Sequence, residues 1–203
     1  MSYLALGDSY TIGEGVAPEG RWPLQLAEAL RGHGIDLAAP RIIATTGWTT
    51  DELASAMDAE EPLGNWDFVS LAIGVNNQYR GRSAGDYRGE FQDLLKRAIR
   101  LAGGRADRVL VLSIPDWGVT PFAREQGRDA TQIAAELDAY NAEAAAVCDR
   151  LGVAFVDITP VSRERGSEAA MLADDGLHPS ARMYTLWTER AVPVARRLLG
   201  NGE

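Results

Sequence analysis

Cysteine is almost absent from this chain: Cys148 stands alone among 203 residues, so no internal disulfide can form. Its surroundings, NAEAAAVCDRLG, read as the apolar face of a helix, which makes it a buried structural thiol. Histidine is scarce too, with only His33 and His178 present. No His/Cys/Asp cluster has metal-ligand spacing, so neither a metal nor another cofactor is expected. Bases are outnumbered, 20 Lys and Arg against 29 Asp and Glu, for a net charge of -9. That balance opposes nucleic-acid backbones and anionic membrane surfaces, and a neutral or cationic small molecule is the easier partner. Nowhere do 18 apolar residues run together, which excludes a membrane-spanning helix. The first strand-like run begins at Tyr3 and leaves no room for a secretory leader, so a cytoplasmic location is expected. A phosphate loop is missing as well: Gly13 is followed by Glu14 and no Lys-Ser/Thr pair comes after it.

What is present is alternation. Apolar runs of strand length occur at YLALG (3–7), PRIIATTG (40–47), DFVSLAIG (67–74), RVLVLSIP (108–115) and VAFVDI (153–158). Stretches of helical periodicity follow at 22–32, 49–59, 85–102, 129–151 and 180–199. Repeated βα units without hairpin signals predict a mostly parallel sheet covered by helices on both faces, an α/β three-layer architecture. The length suits one domain, 1–203, able to bury about 70% of its unfolded surface. One long irregular stretch, 116–129, follows the fourth strand; such loops are often functional.

Ligands of parallel sheets sit outside the carboxyl ends of the strands. The residues there are Gly7-Asp8-Ser9, Thr46-Gly47-Trp48, Gly74 to Asn77, Pro115-Asp116-Trp117 and, after a connecting segment, DDGLHPS (174–180). Ser9 by itself is equally a helix cap or turn residue. His178, with Asp175 three residues before it, changes the balance. An Asp-x-x-His turn lets a carboxylate hold Nδ1 so that Nε2 acts as a base, and a serine hydroxyl needs such a base. Locally, His178 and Asp175 also fit an exposed acidic turn. An attacked carbonyl further requires oxyanion donors. The Gly47 and Ser9 backbone N–H groups and the Asn76 amide are candidates, although Gly47 also suits a plain turn and Asn76 an Asx turn. Position 11 is Thr, so GDSYT is not a Gly-x-Ser-x-Gly elbow. Asp8 adjoins Ser9 and projects differently, which makes it a scaffold for the turn rather than the acid that orients His178. Trp48 and Trp117 follow strand ends and either wall the site or simply pack; Asn77 and Asp116 belong to the same rim. Trp66 and Trp187 fill the core, and His33 closes a helix.

Four ordered blocks, GDSYT (7–11), ATTGWTT (44–50), GVNN (74–77) and DGLHPS (175–180), resemble the SGNH hydrolases, the GDSL-type esterase and lipase superfamily. The third block departs from the usual Gly-x-Asn-Asp by carrying Asn77 last, a position of support rather than the donor itself. The resemblance implies a flavodoxin-like sheet of five parallel strands in order 2-1-3-4-5. It implies Ser9 as nucleophile, His178 as base, Asp175 as its orienting acid, and Ser9, Gly47 and Asn76 as the oxyanion hole. The expected substrate is a small-molecule carboxylic ester, short-chain alkyl or aryl, cleaved through an acyl-enzyme. Carbohydrate O-deacetylation or thioester hydrolysis is the runner-up, and a non-catalytic ligand-binding module the remaining alternative.

Overall fold

Tyr3–Gly7 (β1) is buried along its whole length, as a strand covered on both faces must be. The structure is a computed structural model and describes residues 1–200. Along the chain follow α1 (Ser9–Ile12), α2 (Trp22–Gly32), β2 (Arg41–Ala44), α3 (Thr50–Ala59), β3 (Phe68–Ala72), α4 (Val75–Tyr79) and α5 (Ala84–Leu101). Then come β4 (Val109–Leu112), α6 (Pro121–Glu125), α7 (Ala130–Leu151), β5 (Ala154–Val156), α8 (Thr159–Arg165) and α9 (Ala181–Gly200). All strand pairings are parallel and the sheet order is β2-β1-β3-β4-β5.

The helices divide between the faces. α2 packs on α9, while α5 packs on both α3 and α7. Each buries one apolar stripe: Leu26 and Leu30 on α2, Phe91, Leu94 and Leu95 on α5, Trp187 and Ala191 on α9. A fully buried Leu or Phe contributes about 1.5–3 kcal/mol through removal from water, so these stripes hold the layers together. Capping fixes where the long helices begin. Asp129 accepts from the Thr131 N–H at 2.8 Å at the start of α7, and Ser83 accepts from the Asp86 N–H at 3.0 Å at the start of α5. Cys148 lies buried on α7, and burial pushes its thiol up to about 12. No helix among the described residues is long and apolar enough to cross a membrane.

The expected strands after β1 end two to three residues too late, because the apolar runs continue past the last ladder bond into the loops that build the site. The stretch 116–129 is not wholly irregular. It contains a 3₁₀ turn at Trp117–Val119 and the helix α6, started by Thr120, whose hydroxyl accepts from the Ala123 N–H at 3.3 Å. Since β1 has β2 on one side and β3 on the other, the crossovers diverge there, and the crevice between the ends of β1 and β3 is the fold's ligand position.

Candidate active site

Gly7 closes β1 where no other residue fits. A Cβ there would lie 2.1 Å from Thr11 Oγ1 and 2.5 Å from the Ala72 carbonyl oxygen of β3. The chain can therefore turn straight from strand into α1 against its neighbour. Asp8 caps that helix, accepting from the Tyr10 N–H at 3.0 Å. Burial raises its carboxyl to about 7, against the opposing pull of the Tyr10, Gly74 and Asp8 backbone groups. Asp8 thus serves the turn, and its bonds do not reach His178. Ser9, the next residue, is the first of α1 and is buried except where it meets a cavity.

His178 reaches the same cavity from the loop between α8 and α9. That loop is pinned by the Ala173 N–H donating to the His178 carbonyl at 2.8 Å and the Ser180 N–H to the Met171 carbonyl at 2.9 Å. Asp175 Oδ1 accepts the Leu177 and His178 backbone N–H groups, each at 2.9 Å, and Oδ2 faces His178 Nδ1 at 2.5 Å. Burial pushes the Asp175 carboxyl up, but the His178 hydrogen bond and these two N–H groups outweigh it, and the net direction is down. A carboxylate at Nδ1 fixes the imidazole so that Nε2 is the free nitrogen. Behind the ring stands Tyr10, edge-on at 5.9 Å between centroids, and Trp187 stands behind Tyr10 at 5.9 Å. Among the described residues no hydrogen bond joins Ser9 Oγ to His178; they share a wall, and such bonds commonly tighten only when substrate is bound.

Gly47, at φ +90°, adopts a backbone conformation that disfavours any side chain. Its carbonyl is held by the Arg80 guanidinium at 2.7 Å, and Arg80 also donates to Glu52 at 3.2 Å. Asn76, on α4, donates from Nδ2 to the Trp48 carbonyl at 2.9 Å. One amide hydrogen is thereby fixed, which orients the second. Gly47, Asn76, Ser9 and His178 all line a cavity of about 230 Å³ whose remaining wall is Tyr10, Thr46, Val75, Tyr79, Trp117, Phe122 and Leu177.

Trp117 is on this wall, its indole N–H held by Gln78 Oε1 at 2.8 Å. Two other expected wall residues are elsewhere. The Trp48 side chain packs half-buried against the core, and only its carbonyl serves the site, through Asn76. Asn77 is wholly buried behind the wall: Nδ2 donates to Thr50 Oγ1 at 2.6 Å and Oδ1 accepts the Thr50 N–H at 3.1 Å. Asp116 caps the 3₁₀ turn through the Gly118 N–H at 2.8 Å and pairs with Arg163 at 2.9 Å. The sequence reading missed Tyr79 and Phe122. Tyr79 follows Asn76 by one helical turn, and Phe122 lies inside the stretch singled out after the fourth strand. The Phe122 N–H also donates to the Gly176 carbonyl at 3.2 Å, joining α6 to the loop of His178.

The profile of the GDSL-like lipase/acylhydrolase family matches residues 5–186. The chain belongs to this family. No curated protein matches it. Among solved structures, this GDSL-family chain is similar to TesA, with 19% identity, TM-score 0.75 and coverage of 98% of this chain and 100% of that one. It is similar to the psychrotrophic esterase EstA from Pseudoalteromonas sp., with 14% identity, TM-score 0.75 and coverage of 98% and 99%. A carbohydrate acetylesterase family member from Sinorhizobium meliloti gives 21% identity, TM-score 0.68 and coverage of 98% and 100%. At these identities the likenesses speak for the fold, which is the SGNH hydrolase fold of the GDSL family.

Proposed function

We propose that the protein hydrolyses carboxylic esters with short alkyl or aryl groups through an acyl-enzyme formed on Ser9. The observation that carries this reading is the meeting of Ser9, an Asp175-held His178, Gly47 and Asn76 on one apolar cavity. Neutral His178 takes the Ser9 proton at Nε2 as Oγ attacks the ester carbonyl. The negative oxygen that forms is received by the Ser9 and Gly47 backbone N–H groups and the second hydrogen of the Asn76 amide. Asp175, kept ionised, stabilises the imidazolium. The carbon–oxygen bond to the alcohol then breaks, and His178 returns its proton to the leaving oxygen. In the second half a water loses its proton to His178 and attacks the acyl carbon; the bond from that carbon to Ser9 Oγ then breaks, the carboxylic acid leaves, and His178 returns the proton to Oγ.

The wall of Tyr10, Val75, Tyr79, Trp117, Phe122 and Leu177 offers contact area rather than hydrogen bonds, which suits an acyl chain or ring better than a polyol. Its volume of about 230 Å³ is below the roughly 300–1,000 Å³ of drug-sized pockets, in keeping with a short group. A fluorophosphonate should label the native protein on the Ser9 peptide by mass spectrometry. Ser9→Ala should remain folded, escape labelling and lose about 10³-fold or more of its turnover of an activated butyrate ester. A folded Ser9→Ala protein retaining a tenth of native turnover would refute the assignment.

A further inference from the structure

Arg128 is set over the aromatic wall of the cavity. Arg80 is engaged with Gly47 and Glu52, Arg82 with Asp51, and Arg163 with Asp116 and Asp138. The guanidinium of Arg128, by contrast, has neither a carboxylate within 4.0 Å nor a hydrogen-bond acceptor among the described residues. What holds it is aromatic. Its central carbon lies 5.4 Å from the Tyr79 ring centroid and 5.3 Å from that of Trp117, and both rings line the cavity. Tyr79 is 43% exposed and Arg128 is exposed, so this stack forms the outer edge of the cavity's aromatic wall. Cation–π contact draws on the charge of a guanidinium and supplies no acceptor oxygen, so its N–H donors stay available to a ligand. A planar fork of donors supported in this way is suited to a carboxylate or phosphate.

We propose that Arg128 is a specificity determinant that favours esters carrying a second, anionic oxygen group projecting from the cavity mouth. This rests on the ester-hydrolase reading above and adds the charge of the substrate to it. The apolar wall takes the uncharged part next to the scissile bond, and Arg128 meets the anion where that part emerges. The anion could belong to the acyl half or to the alcohol half, and the two sources are separable by experiment.

For the acyl half, the matched substrates are 4-nitrophenyl butyrate and the 4-nitrophenyl monoester of glutaric acid. For the alcohol half, they are the butyrate esters of 4-hydroxyphenylacetate and of its neutral amide. In the native protein and in Arg128→Gln, the quantity read is the ratio of kcat/KM for the anionic ester to that for its neutral partner. In at least one pair that ratio should fall about fivefold in the variant, the size expected of a well-aligned exposed ion pair. The native preference should also shrink in high salt. A ratio changed by less than about twofold in both pairs overturns the proposal, including the case in which both esters lose rate equally because Arg128 only braces the rings. Quenching of tryptophan fluorescence by 4-phenylbutyrate and by its amide supplies a second reading that needs no turnover. There too Arg128→Gln should weaken the carboxylate selectively. A native protein that cleaves none of the esters would count against the proposed function, while the fluorescence ratio would still decide the role of Arg128.

Discussion

Asn76 and Asn77 are chemically identical neighbours with opposite surroundings. Successive side chains on a helix diverge by about 100°, since 3.6 residues make a turn. Asn76 therefore meets the cavity while Asn77 turns into the protein and ties α4 to the first turn of α3. Asn76→Ala should lower kcat by about 10²- to 10³-fold, about 2.7–4 kcal/mol, with little change in KM, because the oxyanion exists only after attack. Asn77→Ala should act on stability instead, costing about 1–3 kcal/mol by stranding the buried Thr50 N–H. Steady-state kinetics and melting curves for both variants test the pair, and a larger kcat loss in Asn77→Ala would reverse the roles. The sequence distinguished these residues only by analogy to a motif. Read as a loop, 74–77 put both on one rim, and only the helical turn separates them. Trp48 was misplaced for a similar reason, since nothing in sequence tells whether a residue offers its side chain or its carbonyl.

At the scale of elements, periodicity located the strands and the long helices, because burial on both faces of a sheet or one face of a helix leaves a pattern that survives without neighbours. The pieces that place Ser9 and Asn76 on the cavity do not leave one. α1 has four residues and α4 five, too few for any period, and their positions follow from the turns that launch them. Gly7 is the turn that launches Ser9. Gly7→Ala would press a methyl group onto Thr11 and the Ala72 carbonyl. The expected result is a loss of about 1–3 kcal/mol of stability, together with a fall in turnover as α1 shifts. Chemical denaturation and ester kinetics check this; an alanine variant that matches native stability would show that the junction has slack.

For the molecule as a whole, the raised carboxyl of Asp8 links stability to pH. Its folded value of about 7 exceeds the ordinary unfolded value of roughly 3.9. Between these the folded state holds the extra proton, so stability falls as pH rises through the window, and above it the cost of the buried charge is complete. The size is roughly 4 kcal/mol, as for a carboxyl whose value rises by that much on folding. Asp8→Asn keeps an acceptor for the Tyr10 N–H but has no proton to lose. Relative to native, it should therefore gain stability between pH 5 and pH 8, measured by urea denaturation; parallel behaviour at both pH values would contradict the shift. The sheet order was legible through family likeness, whereas a charge cost of this kind depends on how completely α1, β3 and α9 enclose one side chain, which no local pattern encodes. The bond from Phe122 to Gly176 also bears on engineering. The segment after β4 supplies Trp117 and Phe122 to the cavity wall, which makes it the natural piece to exchange in reshaping that wall. Here that segment is fastened at its midpoint to the loop carrying His178, the proposed base, so a graft spanning Phe122 transplants part of that loop's support along with the new wall. Exchanges confined to the exposed residues 124–128 leave that fastening intact.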